Sequence, residues 1–216
     1  MTLDQYRTLL LDCTKQDTQI GILTTWVNTA LSELQRRRSW RGMKNTISLT
    51  IPGGNGSVNL PATFKEPQSG INPLRGTDAT TPQGFVNWFL YSKQEVMRLL
   101  EIQVGAPDRK AYIDFDGTNW SLNTLGQVGS TTTFQLDCYL YFADLSGGTD
   151  SNYLTKEYPM LVLEQAKQYA YRHVGTPDAL QMAQAAQAEV ERQYQLAAAD
   201  DGFREVRGRR FRMSGF

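Results

Sequence analysis

Asp114 and Asp116 form a carboxylate pair of the kind glycoside hydrolysis uses, one as acid and one as base or nucleophile. Asp116, however, precedes Gly117 between the runs AYIDF and TNWSL, where an Asp-Gly pair marks a two-residue hairpin turn, and Asp114 is flanked by strand residues. The pair therefore reads as structural. A second pair, Asp200 and Asp201, follows the last long helical pattern. The single histidine, His173, closes an apolar helical stripe; alone it supports neither a metal nor a triad, and a partly buried helix-end residue is expected. Gly53-Gly54-Asn55-Gly56 lacks the lysine and following helix of a phosphate cradle, so it reads as a hairpin turn. HExxH, CxxC, GxSxG, Walker A and dinucleotide patterns do not occur in the sequence. No enzyme, no catalytic residue, no metal and no cofactor are predicted.

Two other groups of residues are suited to binding. Trp88, Phe89, Tyr91, Tyr112 and Trp120 could stack on sugars or bases through their faces, although aromatics on strands more often fill a core or an interface. The C-terminal stretch sets Arg204, Arg207, Arg209, Arg210 and Arg212 against the single acid Glu205, with Phe203, Phe211 and Phe216 interleaved. Three readings stand side by side. The stretch is a docking arm whose phenylalanines fill pockets while its arginines pair with carboxylates, or a disordered terminus, or a nonspecific phosphate contact.

The elements that must carry these residues follow from periodicity. Leu3, Tyr6, Leu9 and Leu10 share a helix face. Asp17-Thr18 signals a second helix with the stripe Ile22, Leu23, Trp26, Val27, Ala30, Leu31 and Leu34, ending at Arg36-Arg37-Arg38. Period two then takes over: TISLTI, the turn PGGNG and SVNL fit a β-hairpin. Residues 61 to 84 read as loop with one edge strand at most, GFVNWFLYS as a strand, and SKQEVMRLL as one or two helical turns after a serine cap. KAYIDF, TNWSLN and TTTFQLDCYLYF are three further strands. A flexible SGGTDSN linker precedes a helix with Tyr158, Leu161, Val162, Gln165, Ala166, Tyr169, Ala170 and His173 on one side and Gly175 as its stop. Thr176-Pro177-Asp178 opens the last helix, which is predicted to run to about Ala199 with Leu180, Ala183, Gln187, Val190, Tyr194 and Ala197 inward.

The predicted fold class is α+β: an antiparallel bundle of N- and C-terminal helices (residues 1–42 and 151–202), an inserted β-rich lobe (43–150) and an extended arm (203–216). Size and composition fit this plan. The 216 residues, 40% hydrophobic and 20% charged, suit a folded, soluble chain, and 22 basic residues balance 22 acidic ones, so net charge gives no argument for nucleic acid. Cys13 and Cys138, far apart, predict reduced thiols and a cytosolic origin. MTLDQYRTLL lacks the basic and apolar regions of a secretory leader, and no run is apolar enough for a membrane span.

In order along the whole chain, TLDQYRTLLLD, ILTTWVNTALSELQRRRSW with Trp26-Val27-Asn28, VNLPATF, and EYPMLVLEQAKQYAYRHVGTPD resemble the head-to-tail connector or adaptor proteins of tailed bacteriophages, in particular the tail tubular protein A-like and tail accessory adaptors. The segment 62–110 is looser than in that pattern. The resemblance implies a structural virion protein made in the host cytoplasm and placed in the neck. There it would form a homo-oligomeric ring, typically dodecameric, below the portal protein. The ring would extend the DNA channel, touch DNA nonspecifically and offer a platform to a downstream tail or nozzle protein. The arm Phe203, Arg204, Arg207, Arg209, Arg210, Phe211, Arg212 and Phe216 would then dock on the portal or a neighbouring subunit. From the residues alone, the competing reading is a glycan- or ligand-binding module that uses the aromatic β lobe.

Overall fold

The computed structural model describes residues 1–14, 19–68, 73–78, 81–101 and 109–213. The chain divides into two units: Met1–Met43 together with Phe142–Phe216, and Lys44–Tyr141.

The first unit is helical. Helix α1 (Leu3–Thr14) buries Leu3, Tyr6 and Leu10, and α2 (Ile20–Arg37) buries Leu23, Val27, Ala30, Leu31 and Leu34. The signal at Asp17-Thr18 lies outside the described residues. Arg7 on α1 donates to Thr24 Oγ1 on α2 at 2.8 Å, tying the two helices. Ile22 and Trp26, predicted inward, are only half-buried. Trp40, beyond α2, is fully buried instead and donates its indole N–H to the Leu34 carbonyl at 2.9 Å. Satisfying that donor is what lets a tryptophan enter an apolar core without an orphaned polar group.

The segment read as a flexible linker is built. Asp150 accepts from the backbone N–H groups of Ser146 (2.9 Å) and Gly147 (2.7 Å), which holds its carboxyl below the usual carboxylate range. Asn28 exchanges two 3.0 Å hydrogen bonds with the backbone of Leu145. Asn152 and Thr155 then form a reciprocal capping box for a short helix α4 (Tyr153–Glu157), a local signal present in the sequence as Asn-x-x-Thr.

Helix α5 (Pro159–Val174) ends at Gly175, whose φ of 70° is the left-handed conformation a Cβ would strain. Thr176 caps the next helix, α6, through the Ala179 N–H at 3.3 Å. α5 and α6 run antiparallel: Tyr158 at the start of α5 donates to Asp200, while Tyr171 near its end packs with Ala179, Ala183 and Ala186. Along α6 as far as Arg204 the buried positions are Ala179, Ala183, Ala186, Val190, Ala197 and Asp201, a heptad-like stripe of mostly small residues that lets the helices approach closely. Leu180 and Gln187, predicted inward, lie on the exposed side, because the seam runs through the alanines one position away. His173 is also exposed and packs its ring on Trp26 at 5.3 Å.

The largest difference from the sequence reading is at the C-terminus. α6 spans Pro177–Met213, so the segment predicted to be an extended arm continues the helix. Gly202, a plausible stop, is carried through by tertiary contacts described below.

The second unit is an eight-stranded sheet: β1 (Lys44–Ile51), β2 (Ser57–Asn59), β3 (Phe64–Pro67), β4 (Leu74–Asp78), β5 (Thr81–Tyr91), β6 (Lys110–Phe115), β7 (Trp120–Thr124) and β8 (Thr132–Leu140), with α3 (Lys93–Glu101) between β5 and β6. Its order is β1-β8-β4-β5-β6-β7-β2, with β3 also on β8. All pairs are antiparallel except β5 with β6, whose parallel crossover contains α3. β1 and β2 do not form the predicted hairpin. β1 pairs along eight positions with β8, setting Leu49 opposite Phe134 and Ile47 opposite Leu136 on one buried face, a larger apolar gain than three-residue β2 offers. The turn between them bonds elsewhere, Gly54 N–H to the Val128 carbonyl and Val128 N–H to the Asn55 carbonyl. Residues 61–84, read as loop, supply β3, β4 and the start of β5; residues 69–72 and 79–80 lie outside the described residues.

Candidate functional site

The predicted site residues sit on or beyond the last turns of α6. Phe203 is 61% exposed. Arg204 donates to Glu157 and Asp200, at 2.5 and 2.9 Å, and these two acids hold its guanidinium firmly charged. Arg207, Arg209, Arg210, Phe211 and Arg212 fall within the helix, and Phe216 lies outside the described residues.

Just before this segment, α6 is clamped by residues that the sequence reading named separately, Asp200, Asp201 and the arginine run among them, but did not bring together. Asp201 is 1% exposed. Its carboxylate accepts from the Tyr153 hydroxyl at 2.7 Å and the Arg41 backbone N–H at 3.1 Å, with the Arg38 guanidinium 3.7 Å away. Burial, then the hydrogen bond to Asp201, raises the Tyr153 phenol above its ordinary value, so it stays a donor. Tyr158 donates to Asp200 at 3.2 Å, and burial again raises its phenol. Arg37 reaches Glu191 at 2.6 Å and lies 4.2 Å over the Tyr194 ring. Trp40 packs against Tyr158 at 5.4 Å and Tyr194 at 6.0 Å. The arginine run that ends α2 thus complements the helix terminus and also grips α6. The available sequence signals were the Asp200-Asp201 pair and that same run, whose partners lie about 150 residues apart.

The remaining candidates take structural places. Asp114 accepts from Lys93 at 2.6 Å and from the Phe115 N–H; Asp116 accepts from the Asn119 and Thr118 N–H groups, both at 2.7 Å. These partners hold both carboxyls below the usual range, the opposite of a raised general acid. The turn is a four-residue loop between the paired Phe115 and Trp120, not a two-residue one. Trp88 packs against the sheet core, 4.8 Å from Phe134, whereas Trp120 and Phe115 form a partly exposed pair at 5.0 Å. Phe89 and Tyr91 lie 6.4 Å apart, and Lys110 sits 5.5 Å over the Tyr91 ring. Cys13 and Cys138 are free thiols. Among the described residues no group of three His, Cys, Asp or Glu could hold a metal ion, and no helix is long and apolar enough to cross a membrane.

What this geometry builds is a hydrogen-bonded mount for a long helix. A family model matches residues 2–214, nearly the whole chain, and its class is that of phage adaptors, structural components of the virion. The chain belongs to the SU10 adaptor protein family. No curated protein matches it.

Proposed function

We propose that the chain is a non-enzymatic head-to-tail adaptor that forms a ring, of twelve copies, below the portal protein in the neck of the particle. The ring extends the DNA channel and presents a platform to the next tail or nozzle protein, as in the tail tubular protein A-like and tail accessory adaptors. The observation that carries this reading is the family match over residues 2–214.

Physical features support it. α6 has 37 residues, about 55 Å of helix, long enough to form a ring wall and to carry its end beyond the packed helices. The helices packed on α5 serve as that wall, the sheet unit as the platform, and subunits meet head to tail so that rotation closes the ring. Phe203 to Phe216 docks on the portal or on a neighbouring subunit, and its arginines make nonspecific DNA contacts where they face the channel. Co-assembly with the cognate portal, imaged by electron microscopy, tests the proposal.

The Phe115–Trp120 pair favours a second reading, glycan stacking by the sheet unit. Glycan-array binding abolished by Trp120→Ala would support it, and silence across polysaccharides would remove it.

A further inference from the structure

A groove runs between the start of α5 and the middle of α6. Its floor is apolar, with Pro159, Ala197 and the exposed Met160 (48%) and Leu196 (57%), and its rim carries Glu157 and Asp200. Exposed long apolar side chains beside a carboxylate rim suit a ligand with apolar and cationic groups in one segment.

This chain contains such a segment. Between Pro177 and Asp201, α6 has five acids, Asp178, Glu189, Glu191, Asp200 and Asp201, against one base, Arg192. Residues 203–216 invert that balance, five arginines against Glu205, and add three phenylalanines. The rim already binds one arginine of this segment, since Arg204 reaches both Glu157 and Asp200. Two carboxylates against that one guanidinium leave the rim net negative.

The segment cannot fill the groove of its own chain. α6 is continuous through Met213, so the nine residues after Arg204 travel about 13 Å farther along the axis, away from Met160 and Leu196. A groove at the level of Leu196 is reachable only on another copy. We propose that this groove receives the basic, phenylalanine-bearing segment 203–216 of a neighbouring copy. The donating and receiving surfaces differ, so the contact is heterologous and propagates from copy to copy. Phenylalanine enters against Met160 and Leu196, and arginines line the carboxylate rim, a helix-in-groove mode with charge setting the orientation. The proposal rests on the ring reading and names one contact within it.

The test uses the full chain and a fluorescein-labelled peptide of residues 203–216, followed by fluorescence anisotropy. The expected result is saturable binding that weakens as salt rises and falls about ten-fold or more on Leu196→Lys. Leu196 is exposed, so that variant retains the helical circular dichroism of the parent; Met160→Lys gives the same loss by an independent change. Absence of binding, or equal binding to both variants and the parent, overturns the proposal. So does capture of the peptide by short duplex DNA without binding to the protein, which would make the segment a nucleic-acid contact. Portal-bound rings without peptide binding would remove this contact and leave the adaptor reading intact; peptide binding without rings would do the reverse.

Discussion

The hydroxyl of Tyr153 donates to Oδ1 of Asp201 at 2.7 Å, joining α4 to α6 across 48 residues of sequence at a point that is almost closed to water. With the Arg41 N–H on the same carboxylate, this bond fixes α6 just before the exposed Phe203 and Arg204. Asp201→Ala leaves both donors without their acceptor. The expected cost is about 2–3 kcal/mol, read as a lower midpoint in urea unfolding with an unchanged slope. An unchanged midpoint would mean the carboxylate is not structural.

Gly42 belongs to the same latch. A Cβ at this position would occupy the space of the Tyr153 ring, so Gly42→Ala displaces the tyrosine. Gly42→Ala and Asp201→Ala disrupt one interaction, and the double variant is expected to lose clearly less stability than the sum of the two. Additive losses in a double-mutant cycle would separate the two residues.

Two tryptophans, Trp26 within α2 and Trp40 just beyond it, should behave differently. Trp40 is fully buried among Tyr158 and Tyr194, and Trp40→Ala is expected to cost about 3–5 kcal/mol. Trp26 is half-buried beside the exposed His173, and Trp26→Ala should cost about 1–2 kcal/mol. Equal losses in chemical unfolding would contradict this ranking.

Stability should fall on the alkaline side. Burial, reinforced by Asp137, pushes the Cys138 thiol up to about 11, and burial, with Glu33 and Cys13 as respective neighbours, pushes Tyr169 and Tyr171 up to about 12. Folded-state values above the unfolded ones mean that the native state holds these protons more tightly. Their contribution is complete below about pH 9 and is lost as pH climbs through 11 and 12. Urea midpoints measured from neutral pH upward are expected to be level at first and then to decline; a level series through pH 11 would refute the assignment.

Local punctuation made the helices readable. Gly175 and Thr176-Pro177 mark the α5–α6 junction, and the stripe Leu23, Val27, Ala30, Leu31 and Leu34 marks α2. Strand partners were not readable, because Leu49 meets Phe134 across 85 residues and nothing near TISLTI says that β8 outcompetes β2. The continuation of α6 past Ala199 was hidden for a related reason: Gly202 signals a stop locally, while Asp201 and Arg204 hold the helix through distant partners. For the candidate site, the charges of the terminal segment were visible in the sequence, but the clamp that mounts it was not. Asp201 looks like any surface acid until Tyr153 and Arg41 are brought to it.

The terminal segment is separable from the packed helices if it serves docking. Truncation after Gly202 removes Arg204, the cation shared by Glu157 and Asp200, but leaves Asp201 and the alanine seam in place. The truncated chain is therefore expected to stay folded, losing only the helical signal of the residues removed, while binding the portal more weakly. Unfolding on truncation, or undiminished portal binding, would contradict the docking role.

The most direct measurement is electron microscopy of the full chain mixed with its cognate portal under assembly conditions. The adaptor account predicts a ring of twelve copies stacked coaxially below the portal, with continuous density around an open central channel. A chain that stays monomeric and leaves the portal bare under those conditions would contradict it.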